Sequence, residues 1–340
     1  MKSVTEKFRA SLPFTFNLAA RAAIVGADGR VLSTTDPGSA YSMARSVAAA
    51  RGFFGERWQA GDVSVSNDPD RGATHVCQLT AVTPLHRNAW GVMRANLPDV
   101  GGWCPGGYSP QAIDRWAEGA RFEPAKLFLA GKVRREVADL LSLNSRTPKA
   151  TRRLALALGE AALSLQPADS YAADLERARR AIAGLNGEQG RATAAITTPA
   201  AITSPGEVAV RFTCGPKLAI EVSAPAVNPA PINLGEAASH DIVLSAVAAA
   251  AGLDSLQSGA LVELVEVKLG GLLAARVPAC VGIGRETSGA ALYGACIKAL
   301  TGKEHRWIPH DAAGEVDWST GQLGAKSVAA LLAAERQVNA

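Results

Sequence analysis

Aromatic residues are scarce in this chain, at 5% of 340 positions, and they are not interleaved with the basic ones. Single-stranded nucleic acid is held on such interleaved platforms, so their lack argues against a nucleic-acid binder. The net charge of +4 is mild, and the basic runs KVRREV, KATRRL and LERARR fit the solvated faces of helices. Cysteine is sparse as well: five thiols, at 77, 104, 214, 280 and 296, with no Cys-x-x-Cys pair and no disulfide-framework spacing. An odd, unpatterned set of that kind points to a reducing, cytoplasmic setting. No long hydrophobic run is present, and the longest helical one, around IVLSAVAAAAGL, is too short to span a bilayer. Lys2, Lys7 and Arg9 open the chain, but Arg21 and Asp28 interrupt any apolar core of signal-peptide type. The P-loop, the dinucleotide fingerprint, the Gly-x-Ser-x-Gly elbow and the His-Glu-x-x-His pair are all absent. The sequence itself therefore offers no nucleotide site.

What is there reads as a globular chain, 48% apolar and 19% charged, rich in alanine and glycine, and long enough for about two domains. The patterns predict a mixed α+β (α/β) protein of two helix-and-sheet lobes, with hairpins concentrated in the N-terminal part. Residues 14–33 carry a hairpin signal around the Ala-Asp-Gly turn at 27–29, and residues 41–56 read as a helix. VSVS, HVCQLTAVTPL and AWGVMRANL read as strands, and helical patterns follow at 110–120, 131–144, 149–165 and 168–184. GLNGEQG is the candidate linker. Beyond it EVAVRFTC and KLAIEVSA read as paired strands, ALVELVEVKL as another strand, and two alanine-rich helices complete the second lobe. The expected division is 1–187, 188–301 and a tail over 302–340 with a short helix.

The chemistry-bearing residues gather near the turn NDPDRG, which precedes His75. Asn and Asp cap their own backbone there, Pro69 fixes φ and Gly72 permits a positive φ. His75 and Cys77 are two apart, so on a strand they share a face. DVGGWCPGGYSP, from residue 99, packs four glycines and two prolines into twelve residues. Such a loop either lets backbone approach a ligand or simply reverses the chain. Folded back over the hairpin, it brings Asp99 and Cys104 toward His75 and Cys77, a set of zinc-ligand types. The plainer alternative is a histidine that finishes a turn and a cysteine packed as a small hydrophobe.

In order, GDVSVSNDPDRGATH, DVGGWCPGGYSP, EGARFEPAKLFLAGKV and LLSLNSRTP resemble the hydantoinase B / 5-oxoprolinase family, and the likeness runs from about residue 14 to 301. The resemblance implies one subunit of an ATP-dependent enzyme that hydrolyses cyclic amides such as hydantoins, 5-oxoproline or lactams, or that carboxylates ketones. It also implies a hydantoinase A-like, ATPase-fold partner that carries ATP and Mg. The expected site then draws on Asn67, Asp68, His75 and Asp99 for catalysis, and on Arg71, Gly101 and Gly102 for substrate.

In the family the histidine opens His-x-x-Asp, a second histidine precedes Asp-x-Gly-Gly, and these side chains bind a divalent metal such as Zn or Mn. Here Gln78 stands at the Asp position, Asn96 lies where the second histidine is missing, and Asp36 alone is left of the upstream acidic segment. Only His75 remains as a ligand, so the family's metal is expected to be lost. Against the family the chain also lacks an N-terminal helix and a long C-terminal region. Two readings follow: a working subunit with His75 at a cleft mouth beside the loop at 99–107, or an accessory subunit that kept the fold without the chemistry. Either way the alanine-rich helices suit burial against another chain. A stable hetero-oligomer with an interface above ~2,000 Å² is expected, with self-association when the chain is alone.

Overall fold

Alternating apolar residues in the first 133 positions build a seven-stranded sheet in which every neighbouring pair is antiparallel. The structure is a computed structural model that describes residues 1–14, 20–185, 187–276, 279–304, 316–317, 322–323 and 325–338. The strands are β1 (Arg21–Val25), β2 (Val31–Thr34), β3 (Val63–Ser66), β4 (Gln78–Leu85), β5 (Ala89–Asn96), β6 (Ala125–Leu129) and β7 (Lys132–Val133), in the order β2-β1-β5-β4-β3-β6-β7. Both faces are covered, which the period of two makes visible within single strands. Ala22 and Ile24 of β1 enter the core under α1 (Lys2–Ala10) and α4 (Pro148–Leu163), with α3 (Arg135–Ser142) beside α4. Ala23 and Val25 enter the opposite core, under Met43, Val47 and Ala50 of α2 (Ala40–Phe54).

The α2 face also buries a charge. Arg94 of β5 is 1% exposed and donates to Thr80 Oγ1, Ser42 Oγ, Ser46 Oγ and the carbonyls of Ser42 and Gly72. A guanidinium has five donors, and hydroxyl and carbonyl oxygens meet them here. Asp241 lies near enough for Arg94 to oppose its burial, which nonetheless raises that carboxyl to about 7.

After α5 (Tyr171–Ala183), β8 (Gln189–Ala195), β9 (Glu207–Cys214), β10 (Leu218–Ser223) and β11 (Val265–Lys268) form a second sheet, with β11 parallel to β10 and the other pairs antiparallel. Val208, Val210 and Phe212 face a core shared with α6 (Glu236–Ala250), α7 (Ala260–Leu264) and α8 (Ala290–Thr301). Their alternates, among them Arg211, point out. The last helix, α9 (Ala325–Gln337), returns to the first core through Leu331 and Ala334. There Glu335 accepts the N–H groups of Lys149 and Ala150 at 3.1 and 2.9 Å in the first turn of α4, where a carboxylate meets the helix dipole favourably.

Several elements differ from the sequence reading. Residues 110–120 form turns rather than a helix. The stretch at 131–144 begins as β7 and becomes helical only at Arg135. ALVELVEVKL divides into α7 and β11, and β4 starts at Gln78, leaving His75 in a turn before it. An N-terminal helix, α1, is present where none was expected. The tail sequence HRWIPHDAAGEVDW lies almost wholly outside the described residues.

Candidate functional site

The loop at 99–107 folds back onto the turn before β4, and a single carboxylate organises it. Asp99, fully buried, accepts the N–H groups of Gly101 (3.0 Å), Gly106 (2.8 Å) and Arg146 (2.7 Å) and the guanidinium of Arg146 (3.1 Å). Gly101 and Gly102 sit at φ 78° and 79°. A Cβ on Gly101 would lie 2.5 Å from the Asn144 carbonyl oxygen, and one on Gly102 2.6 Å from the carbonyl carbon of Glu118. The close approach that glycine allows is therefore to protein backbone, not to a ligand.

His75 lies beside that loop, as expected: its Cε1 is 3.3 Å from the position of a Cβ on Gly107, and its ring stacks on Tyr108 with centroids 5.1 Å apart. It is not at a cleft mouth. Only 3% of it is exposed, because Tyr108 and the chain at residue 282 close over it. Nδ1 accepts the Cys77 N–H at 3.1 Å and lies 2.9 Å from Cys77 Sγ, which assigns the ring proton to Nε2. Nε2 then donates to the Gly282 carbonyl at 3.0 Å.

Asn67 is spent in the same way. Its amide donates to the carbonyls of Val76 and Ala120 at 2.6 and 2.8 Å, and its oxygen accepts Phe122 N–H at 2.6 Å. Asp36 caps the turn before α2 and pairs with Arg21 at 2.6 Å. Asp68 and Arg71 stand apart from His75 and line an open cleft. Arg121 approaches Asp68 at 3.5 Å, and Arg71 meets Glu123 at 3.3 Å. Burial pushes the Asp68 carboxyl above its ordinary range.

Glu118 and Arg115 were not singled out as site residues from the sequence, although Glu118 opens the EGAR block that carried the resemblance; Arg115 lies three residues before it. Glu118 is fully buried and Arg115 is 1% exposed. Glu118 Oε1 accepts the backbone N–H groups of Val281 and Gly282 at 2.5 Å each, so the chain at 281–282 is held by this carboxyl on one side and by His75 on the other. Oε2 has no hydrogen-bond partner among the described residues and lies 3.8 Å from Arg115 Nε. Burial raises the Glu118 carboxyl to about 8, against the opposing pull of Arg115.

The donors around His75 do not fit a divalent metal. Among the described residues no group of three or more His, Cys, Asp or Glu converges. Gln78 and Asn96 face each other in the β4–β5 register, and the Gln78 carbonyl oxygen already accepts from the Thr74 N–H and hydroxyl. Neutral amides bind such ions weakly, and a neutral imidazole tied at both nitrogens has no lone pair to give. Cys77 and Cys104 are both buried.

These features describe an α+β chain in which a glycine loop and a buried His–Glu pair clasp a distant backbone segment. The sequence model of the Hydantoinase B/oxoprolinase family matches residues 11–326, and the chain belongs to that family. Caprolactamase subunit beta of Pseudomonas jessenii is 35% identical over 109 residues, 31% of this chain and 19% of that one. The crystal structure of the ATP-dependent caprolactamase from Pseudomonas jessenii superposes with a TM-score of 0.75 at 23% identity, covering 88% of this chain and 58% of that one. Nucleotide-free acetone carboxylase gives a TM-score of 0.71 at 11% identity, covering 88% and 45%. The chain thus spans only about half the length of these solved relatives, 58% of one and 45% of the other. No described helix is long and apolar enough to cross a membrane.

Proposed function

We propose that this chain is a subunit of a cytoplasmic, ATP-dependent complex that hydrolyses a cyclic amide of the hydantoin, 5-oxoproline or lactam type, or carboxylates a ketone by related chemistry. The family match over residues 11–326 carries this reading. ATP and Mg belong on a hydantoinase A-like ATPase-fold partner, consistent with the lack of any phosphate-binding motif in the sequence. His75 is the residue of this chain chosen for proton transfer or substrate orientation, reached when the partner or substrate displaces the Gly282 carbonyl from Nε2. The test is reconstitution with such a partner and a panel of hydantoin, 5-oxoproline, caprolactam and acetone. ATP-dependent turnover of one of them is expected, with kcat reduced about a hundredfold in His75→Gln while the complex still assembles. No complex, or no ATP-dependent turnover of any of the four, would sink the proposal.

A second reading, a non-catalytic accessory subunit, is favoured by the full engagement of both His75 nitrogens. It requires His75→Gln to leave turnover unchanged in an intact complex. In either case the family's Zn or Mn is proposed to be lost. Elemental analysis of chelator-free protein should find well under one equivalent, and Gln78→Asp alone should not restore binding. The double variant Gln78→Asp, Asn96→His, whose new ligands face each other across β4 and β5, is the one expected to gain metal. Near-stoichiometric metal in the wild type that vanishes in His75→Ala would contradict this.

A further inference from the structure

We propose that the open cleft between the 3₁₀ turn Pro69–Arg71 and the first turn of α6 binds a small organic anion, a carboxylate or a phosphate ester. This site goes beyond the function proposed above, needing neither ATP nor a partner subunit. The cleft encloses about 400 Å³, within the range of small-metabolite sites. Four arginines line it, Arg45, Arg71, Arg121 and Arg276, against four carboxylates.

The charges balance in number, but the arginines are not tied up by the carboxylates. Arg45 forms no hydrogen bond or ion pair among the described residues, although its charge acts on Glu236 and Tyr41. Arg276 meets Glu236 only at 4.0 Å with its side chain 81% exposed, and Arg121 reaches Asp68 and Asp70 at 3.5 and 3.6 Å. Charge-assisted N–H···O bonds close to about 2.8 Å, so these pairs are loose and leave forked donors over. Glu236 is already engaged by the Tyr41 hydroxyl at 2.8 Å, with Tyr41 stacked on His240 at 4.0 Å.

Two buried arginines add positive charge behind the walls. Arg94 donates to the Gly72 carbonyl at 2.9 Å, and Arg115 Nη1, which has no hydrogen-bond partner among the described residues, lies 3.8 Å from Asp70 Oδ1. The start of α6 has no side-chain cap, and its first residues line the same space. Pro69, Ala237 and Ala275 supply apolar wall for a hydrocarbon skeleton, which favours an organic anion over a bare one.

Calorimetric titration of the full chain with succinate, glycerol phosphate, inorganic phosphate and the neutral control succinamide tests this. Sub-millimolar binding of succinate or glycerol phosphate is expected, with no binding of succinamide, and the tighter of the two identifies carboxylate or phosphate as the recognised group. Arg45→Ala and Arg276→Ala, both at exposed positions, should each weaken binding at least tenfold without moving the melting temperature, and Arg45→Lys should recover part of the loss. The proposal is overturned if no organic anion binds below several millimolar, if succinamide binds as well as succinate, or if both alanine variants bind like the wild type. Because the titration contains neither nucleotide nor partner, its failure leaves the proposed reaction untouched.

Discussion

Glu118→Ala is expected to destabilise the fold by roughly 3–5 kcal/mol, while Glu118→Gln should be tolerated near neutral pH. The alanine leaves the Val281 and Gly282 N–H groups buried with no acceptor, at about 1–3 kcal/mol each, and adds a cavity. Glutamine keeps the accepting oxygen. The two side chains separate in their pH dependence. The folded Glu118 carboxyl titrates near 8, against an ordinary value of 4.5, with burial as the main cause. Between those values the folded chain holds a proton that the unfolded chain has released, so this group makes stability fall as pH rises through the window. Below it the group contributes nothing, and above it the full cost stands. Urea unfolding at pH 5.5 and 8.5 should therefore show a larger loss for the wild type than for Glu118→Gln. Equal losses would mean that Glu118 is ionised throughout and paired with Arg115.

The second large effect is expected at Asp99. Its buried carboxylate meets three backbone N–H groups and the Arg146 guanidinium, so Asp99→Ala strands the three N–H groups, while Arg146, whose side chain is 36% exposed, keeps water and the Gly102 carbonyl. A loss of ~3–5 kcal/mol follows, from about 1–3 kcal/mol for each N–H group left without an acceptor. Asp99→Asn keeps one accepting oxygen and should lose less. Hydrogen exchange should locate the damage, with the Gly101 and Gly106 amides losing protection before the strands do. Protection there that survives in Asp99→Ala, with stability intact, would show that the loop is held by packing instead.

These two carboxyls also show where the sequence was legible. Alternation placed β9 and β10 and their pairing, because one face of that sheet is apolar and the other is not. The glycine loop was readable as a loop, and its return to His75 followed from chain order. The role of Asp99 was not readable: a carboxylate aimed at a substrate and one aimed at backbone N–H groups are the same letter. Residues 110–120 carry a helical pattern, but polar contacts from afar decide their path, through Arg115 to the Ala279 carbonyl and Glu118 to residues 281 and 282. No local propensity encodes partners at that distance. β8, written QGRATAA, has little strand preference of its own and takes its form from seven register pairs with β9. Arg115 and Glu118 could have been noticed as ionisable residues among glycines and alanines, yet their burial is a property of the assembled fold.

The clasp on Gly282 sets an order of events during synthesis. His75 leaves the ribosome 207 residues ahead of the carbonyl it will donate to, and Glu118 leaves 163 residues ahead of the first amide it will accept. At ordinary translation speed that wait is roughly 10–40 s for the histidine. Throughout it neither group has its partner, and a carboxyl in water is ionised near neutral pH. Docking of residues 281 and 282 then dehydrates both and draws a proton onto Glu118. A nascent chain stalled before that segment carries the whole N-terminal sheet sequence with its polar centre still open.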